Sequence, residues 1–389
     1  MTRDGTTIPR VRIAVLGTIT ISVYGSWYYG FGVLLDPIIA DTGWSEASLT
    51  AAFGVSSMVA GVGALAGGWL LDRHGSRLVF LTAALLGAAA FAVATSTTSL
   101  VLFVLAGAAG GGAFGALGFY HITQTAAVRV SAEAATRAIA VLTIWGAFAS
   151  AIYIPVTAWL VEALDWRAAL RITTASAVAW LVVGALTIDT RTTDRTRRPI
   201  WRELRDSLRS RVAKKYVMAQ GLVGMGVGTI LVYQVPAMTA AGLGLGAASF
   251  WAAFRGFAQL GGRLPLMPIV TRLGTTGALR LSYGAIAVGA VLLAVAGTPF
   301  LAGAFAVVAG FGIGASSPLQ GIHARLVFGA TSLGTAMGLL SLVFMVIGAI
   351  GPALAGTIAT ASGSRALPVL GGAVVTAAAI VLIERPDDE

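Results

Sequence analysis

The sequence contains no cysteine, and only 11% of its 389 residues are charged. Without cysteine, the chain forms no disulfide, no thiolate metal site and no thiol nucleophile. Soluble globular proteins carry roughly 25% charged residues, whereas this chain is 57% hydrophobic with a mean hydropathy of +0.86. Such a composition excludes a soluble domain and a disordered chain. We therefore predict an integral membrane protein.

Signals of enzymatic chemistry are also missing from the sequence. It has no phosphate-binding glycine loop, no cluster of metal-ligand residues and no spaced pair of catalytic carboxylates. We expect neither catalysis nor a metal or other cofactor. Any work done by the protein would draw on transmembrane gradients rather than on ATP.

Hydrophobic stretches long enough to cross a bilayer, about 20 residues each, recur along the whole chain. In the first half we predict spans at 12–36, 47–71, 78–96, 99–122, 137–161 and 168–188. In the second half we predict spans at 216–241, 247–270, 277–297, 300–322, 333–358 and 364–383. This pattern predicts an all-α membrane fold of twelve transmembrane helices in two six-helix bundles, 1–190 and 216–389, joined by a linker at 191–215.

Charge placement predicts the orientation, because Lys and Arg concentrate in cytoplasmic loops. One set of loop ends carries Arg3, Arg10, Arg12, Arg73, Arg77, Arg129, Arg137, Arg263, Arg272, Arg280 and Arg325 together with the basic linker. The opposite set carries Asp36, Asp41, Glu46, Glu162 and Asp165, with Arg167, Arg171 and Arg365 as its cations. We expect a cytoplasmic-membrane protein with both termini in the cytoplasm, and its net charge of +10 requires no nucleic-acid partner.

The linker has the pattern of an amphipathic helix. Trp201, Leu204, Leu208 and Val212 recur at helical spacing, with basic residues on the other faces. Such a helix would lie on the anionic inner leaflet of the lipid bilayer. A regulatory docking role for this segment stays open.

The two halves resemble each other. The stretch "AGGGAFGA" from Ala109 is similar to "AGFGIGAS" from Ala309, and "DRHG" ending at Gly75 is echoed by "TRLG" ending at Gly274. Duplicated six-helix halves are typical of transporters, whose substrate site lies between the halves near the midplane.

The loop after the second span reads "GGWLLDRHGSRLV". It resembles the loop signature of the major facilitator superfamily, which Gly68, Asp72, Arg73, Gly75 and Arg77 match. The resemblance implies that this loop helps to close the cytoplasmic side and stabilises the outward-open state. In that role Gly68 would allow close helix contact, and Asp72 would accept from a helix N-terminus of the other half.

Within that superfamily, the first half resembles the monocarboxylate porters and the oxalate/formate-type exchangers. The supporting stretches run from "DTGWSEASLT" to the loop motif and from "GGGAFGALGFYHITQTAAV" to "ALDWR". The chain departs from these families at Trp251, where porters often carry an acidic residue, and at Tyr29, where they carry a lysine. The second cation that oxalate exchangers need on the eleventh helix is absent from 333–358.

Arg255 is the candidate substrate-binding residue. It lies about 12 Å inside the eighth span, at 1.5 Å per residue, and an ionisable group at that depth is functional by default. A buried guanidinium favours an anionic ligand, and the porters place their substrate arginine at this point. The alternative is that Arg255 binds backbone carbonyls or lines a vestibule.

We expect an aromatic and amide lining around Arg255. The predicted lining residues are Tyr24, Tyr29, Tyr120, His121, Tyr233 and Gln234. Histidine side chains titrate near physiological pH, so His121 is the candidate proton-coupling group; the alternative is a histidine at the cytoplasmic end of the fourth span whose hydrogen bonds are satisfied by its neighbours.

These patterns predict a secondary active transporter, functional as a monomer, that works by alternating access. Its substrate would be a small organic monoanion, a monocarboxylate, which moves with a proton or in exchange for a counter-anion. Two other functions stay open: an exporter of hydrophobic drugs or secondary metabolites on the same fold, and a non-transporting membrane sensor.

Overall fold

The computed structural model describes residues 9–131, 135–190, 208, 210–328 and 333–386. Within these residues the chain is helical and contains no strand. The first half of the chain contains α1 (Arg10–Val23), a π-helical segment (Tyr24–Tyr29), α2 (Phe31–Thr42), α3 (Glu46–His74), α4 (Ser76–Ala94), α5 (Leu100–Gly118), α6 (Tyr120–Val130), α7 (Ala135–Ala163) and α8 (Trp166–Thr187).

The second half repeats this arrangement of long helices. It contains α9 (Arg211–Ala240), α10 (Leu245–Arg263), α11 (Leu266–Ala294), α12 (Pro299–Phe328), α13 (Leu333–Gly348), α14 (Ile350–Ser362) and α15 (Ala366–Leu382). Ser210 caps α9, because its Oγ accepts a hydrogen bond from the backbone N–H of Ala213 at 2.9 Å. Most of the predicted linker, 191–207 and 209, lies outside the described residues, as does the side chain of Arg137, whereas the linker's last residues, 211–215, belong to α9.

Each of the twelve predicted spans corresponds to one helix or to consecutive helices, and the fold is an all-helical membrane fold. Among the described residues, nine helical segments are long and apolar enough to cross a membrane by length and composition. Several helices exceed their predicted spans: the first reaches Thr42 and the fourth reaches Val130. The hydrophobic run marks only the part that matches the lipid core, whereas backbone hydrogen bonding continues the helix beyond it.

The first and the fourth span have backbone irregularities that hydrophobicity does not report. The first span contains a π-helical segment, Tyr24–Tyr29, a feature that is rare and frequent at functional sites. The fourth span breaks at Phe119, whose φ of −77° and ψ of 177° are extended, so that α5 ends and α6 begins on either side of it. Broken helices inside membrane proteins are tolerated where the free backbone groups find partners.

The predicted internal repeat has a match in the backbone. Gly75 has φ 81° and ψ 175°, and Gly274 has φ 70° and ψ 170°. These positive φ values strain any residue with a Cβ. Both halves therefore use a glycine to redirect the chain at equivalent points, after their second hydrophobic span.

By backbone contacts the chain divides into two compact units. The first comprises Met1–Trp44 and Val55–Asp194, and the second comprises Ser45–Gly54 and Arg195–Glu389. The start of α3 thus belongs to the second unit although the rest of that helix belongs to the first. The division into bundles at 1–190 and 216–389, which follows sequence position alone, stays a prediction.

Candidate functional site

Arg255 lies on the buried face of α10. Its side chain is 0% exposed, and the buried positions Ala248, Ala252 and Gln259 recur along the same face of the helix. The opposite face is exposed and carries Phe250, Phe254 and Phe257. Arg255 therefore points into the second unit and away from the surface that the phenylalanines cover.

A side-chain amide holds the Arg255 guanidinium. Arg255 Nε donates a hydrogen bond to Gln234 Oε1 at 2.8 Å, and Gln234 is itself buried on α9. The Gln234 Nε2 donates to the carbonyl oxygen of Leu231 at 3.3 Å, which fixes the amide with its oxygen toward the arginine. Gln234 thus sets the plane of the guanidinium. The partner at Nε is a side-chain amide, whereas the alternative from sequence was a main-chain carbonyl.

Tyr233, the neighbour of Gln234, donates a hydrogen bond to an acidic residue. Its hydroxyl lies 2.6 Å from Glu46 Oε1. The other carboxylate oxygen, Oε2, accepts from Arg365 Nε at 3.3 Å and Nη2 at 3.2 Å. Arg365 Nη1 also donates to the carbonyl oxygen of Pro236 at 3.2 Å. Three side chains of the second unit, Glu46, Arg365 and Arg255, thus bond to one turn of α9.

Sequence reasoning missed Glu46 and Arg365 as members of this cluster. Both had counted only as markers of the outer loops, because each lies at the end of a predicted span. Their proximity is a long-range contact between residues 319 positions apart. One feature of the sequence could have identified Glu46. It is an acidic residue in the first turn of a helix, on the side of the membrane that carries few cations.

The predicted first-half residues also come together, within the first unit. The ring of Tyr24 stacks on Phe119 with centroids 3.7 Å apart and planes 8° apart. Tyr24 lies 5.4 Å from Tyr120 and 6.1 Å from Tyr29, measured between ring centroids. The π-helical segment thus meets the break of the fourth span, and the result is a partly exposed aromatic group, defined here as Tyr24, Tyr28, Tyr29, Phe119 and Tyr120.

Trp27 separates from the other aromatic residues of the first span. Its indole Nε1 donates to Ser56 Oγ at 2.9 Å, and only 3% of the residue is exposed. It therefore packs in the core of the first unit.

His121 lies in the first turn of α6, directly after the break. Its Nε2 lies 2.9 Å from the carbonyl oxygen of Ala116, in the last turn of α5. The ring thus satisfies a carbonyl that the broken helix leaves without an intrahelical donor. On the same side of α6, Tyr120 donates to the carbonyl oxygen of Thr143 at 3.3 Å, and Gln124 donates to Thr143 Oγ1 at 3.4 Å.

The loop motif forms an ion pair inside the first unit. Asp72 pairs with Arg129, and Arg129 Nη1 also donates to the carbonyl oxygens of Leu71 at 3.1 Å and Thr190 at 3.3 Å. Arg129 is a partner that the sequence pattern did not assign to Asp72. Of the motif cations, Arg73 lies over the ring of Trp69 at 5.4 Å, and Arg77 is exposed.

The expectation that Gly68 provides close helix contact is wrong in this structure. A Cβ built on Gly68 would meet nothing within 4 Å, whereas one built on the preceding Gly67 would overlap the carbonyl oxygen of Ala116. The sequence pattern could not separate two adjacent glycines, because which of them faces a neighbour depends on the rotation of α3.

We predict that Gly67→Ala destabilises the protein by about 1–3 kcal/mol, the usual cost of overpacking. The added methyl would push against the Ala116 oxygen, which His121 also contacts. Thermal unfolding of the purified protein in detergent measures the effect. Gly68→Ala is the matched control and should leave the midpoint unchanged; equal shifts in both variants would contradict the packing described here.

Among the residues that the structure describes, no group of three or more His, Asp or Glu side chains could hold a metal ion. The second unit contains the guanidinium of Arg255, the amide of Gln234, the phenol of Tyr233 and the carboxylate of Glu46, which is paired with Arg365. This arrangement can bind an anion and can exchange a proton, and it contains no nucleophile poised for covalent chemistry.

Comparison with known proteins agrees with the helical arrangement. The sequence profile described as Major Facilitator Superfamily matches residues 16–320. A point mutant of the nucleoside transporter NupG has a similar structure, with 16% identity, a TM-score of 0.81, and coverage of 97% of this chain and 100% of that chain. No curated protein matches the sequence.

Two further solved structures have the same fold. A POT family transporter in complex with 5-aminolevulinic acid gives 12% identity and a TM-score of 0.76, covering 96% of this chain and 95% of that chain. A bacterial homologue of the human lysosomal transporter Spinster gives 14% identity and a TM-score of 0.72, covering 98% and 95%. At these sequence identities the similarity shows a shared fold and does not indicate which substrate is bound.

Proposed function

Since this chain belongs to the Major Facilitator Superfamily and is a membrane transporter, we propose that it carries a small organic monoanion, a monocarboxylate, with Arg255 as the substrate-binding cation. Transport would be secondary and proceed by alternating access in the cytoplasmic membrane, with both termini in the cytoplasm and the monomer as the functional form. The substrate would move with a proton or in exchange for a counter-anion.

The observation that carries this proposal is the complete burial of Arg255 beside Gln234. Burying a guanidinium in a membrane protein is costly, so such residues mark substrate pathways. The hydrogen bond from Nε to Gln234 holds the group in one plane. An anchored guanidinium suits the planar carboxylate, which can accept two parallel hydrogen bonds from its terminal nitrogens.

Charge supports a monoanion over a dianion. Residues 333–358, the predicted eleventh span, contain neither Lys nor Arg, so the second cation of oxalate-type exchangers is missing. The nearby Arg365 is already paired with Glu46. A dianion would therefore bring one more negative charge into the site than Arg255 neutralises, and leaving that charge buried is unfavourable.

One observation favours a second function. The aromatic group of the first unit offers partly exposed ring faces at the π-helical segment, and such surfaces bind apolar or aromatic compounds. On this alternative the protein exports hydrophobic drugs or secondary metabolites, and Arg255 only maintains the packing between α9 and α10.

Uptake into proteoliposomes tests the proposal. We expect radiolabelled lactate and pyruvate to accumulate under an inward proton gradient or against trapped unlabelled acid, with oxalate a weak competitor and the neutral methyl esters inactive. Empty liposomes are the control. Extrusion of a neutral aromatic dye without any carboxylate uptake would contradict the proposal and favour the exporter.

A further inference from the structure

We propose that Glu46 is the proton-binding group that couples substrate movement to the proton gradient, and that it acts on Arg255 through Tyr233 and Gln234. This inference rests on the function proposed above. The sequence predicts His121 for this role, in a chain that has Trp251 where the porters often carry an acidic residue. The structure brings Glu46 into the second unit beside the turn of α9 that binds Arg255.

The Glu46 carboxylate is enclosed but reachable. Its side chain is 15% exposed, and that of its partner Arg365 is 20% exposed. One oxygen accepts from the Tyr233 hydroxyl, and the other accepts from two nitrogens of Arg365. A carboxylate in this position can take up a proton from water. Its protonation would change the hydrogen bonds that it accepts from Tyr233 and Arg365.

Close contacts with neighbouring segments hold the first turns of α3, and with them Glu46, in place. A Cβ built on Gly356 of α14 would overlap Thr50, and one built on Gly54 would lie 2.7 Å from the carbonyl oxygen of Ala349. Both contacts lie within the second unit. Because small residues bring the helices together here, a change at the carboxylate acts on its hydrogen-bond partners before it moves the backbone.

Three consecutive links join Glu46 to Arg255. Tyr233 binds Glu46, the peptide bond joins Tyr233 to Gln234, and Gln234 binds Arg255. Beside this path, Arg365 binds both Glu46 and the carbonyl oxygen of Pro236. Pro236 lacks an N–H, so this part of α9 has one backbone hydrogen bond fewer than a regular helix. The turn that carries Tyr233 and Gln234 is therefore more easily displaced than its flanks.

Protonation changes this network in a defined way. A proton adds to one carboxylate oxygen, Glu46 changes from −1 to 0, and the ion pair with Arg365 is lost. Among the residues that the structure describes, the ionisable groups that hydrogen-bond to Glu46 are Arg365, beside the start of α15, and Tyr233 of α9. The sequences of α13 and α14 contain no ionisable residue.

The charges then balance for symport. One monoanion bound at Arg255 and one proton bound at Glu46 together add no net charge to the protein. Their joint movement would be electroneutral, driven by the proton concentration difference and insensitive to membrane voltage. Binding of the proton alone would add one positive charge to this cluster, and binding of the anion alone would add one negative charge. Each binding event therefore favours the other by charge attraction.

Glu46→Gln tests this proposal, because glutamine resembles the protonated acid and cannot release a proton. The measurements use radiolabelled lactate and a pH-sensitive dye inside proteoliposomes. We expect lactate counterflow without a gradient to continue, whereas gradient-driven accumulation falls to the level without a gradient. Proton entry per lactate should fall from about one in the wild type to about zero.

Two further variants define the result. Glu162→Gln removes an exposed acidic residue of α7 and should retain one proton per lactate. His121→Gln should also keep the wild-type ratio. The proposal would be overturned if Glu46→Gln kept the wild-type number of protons per lactate, or if that number fell in His121→Gln alone. It would also be overturned if Glu46→Gln lost lactate counterflow while its thermal midpoint stayed unchanged.

If Glu46→Gln does not fold, Tyr233→Phe decides the matter. It removes the hydroxyl that links the carboxylate to α9 and should lower the ratio of protons to lactate, and an unchanged ratio would overturn the proposal. Failure of the function proposed above gives a different result, since then the wild type itself shows no lactate counterflow.

Discussion

Replacing Arg255 by alanine is expected to abolish lactate uptake and lactate counterflow while the protein remains folded. Two charge-assisted hydrogen bonds to a carboxylate contribute about 1.5–3 kcal/mol each, and 1.4 kcal/mol corresponds to a factor of ten. Losing both should therefore reduce affinity by more than about a hundredfold. Initial uptake rates and binding of lactate to the purified protein measure this loss.

Folding should survive the change to alanine because two effects oppose each other. Removing the guanidinium relieves the cost of burying a charge. It also leaves Gln234 Oε1 without the donor it has now, at a cost of about 1–3 kcal/mol. We expect a modest fall of the thermal midpoint, which allows transport to be measured on folded protein.

Arg255→Lys separates the charge from its geometry. Lysine keeps one positive charge but lacks the planar fork, so uptake should persist at about a tenth of the wild-type rate or less. Arg272→Ala is the matched control, since it removes one arginine from an exposed position of the same unit. Normal uptake in Arg255→Ala would refute the assignment of Arg255 to the substrate.

The sequence predicted the helical membrane fold and the burial of Arg255 well, for a physical reason. Hydrophobic runs of bilayer length indicate which segments enter the membrane. A lone cation within such a run indicates a buried charged side chain. Gly75 and Gly274 marked equivalent turns because only glycine accepts their φ angles. These signals are local in the chain, so a single sequence carries them.

Contacts between distant segments were not predictable in the same way. Glu46 looked like a loop marker because its partners, Tyr233 and Arg365, lie in the other half of the sequence. Neither the break at Phe119 nor the π-helical segment Tyr24–Tyr29 contains a proline. Both features depend on the neighbouring helix, so composition alone contains no sign of them.

Gly314→Ala is expected to cause the largest loss of stability among the glycine substitutions considered. Gly314 lies on α12, and a Cβ built there would overlap the carbonyl oxygen of Gln259 and lie 2.7 Å from its carbonyl carbon and Cα. These are backbone atoms of α10, so no side-chain rotation relieves the overlap. The two helices must separate, at a cost at the upper end of about 1–3 kcal/mol or beyond it.

The separation should also reach the substrate site, because Gly310, one turn earlier on α12, packs against the backbone oxygen of Arg255. Gly314→Ala should therefore lower both the thermal midpoint and the rate of lactate uptake. Gly321→Ala lies on the same helix with open space around it, and it should be neutral or slightly stabilising, since alanine favours a helix over glycine by about 1 kcal/mol. Equal midpoints for the two variants would mean that α10 and α12 are not packed through Gly314.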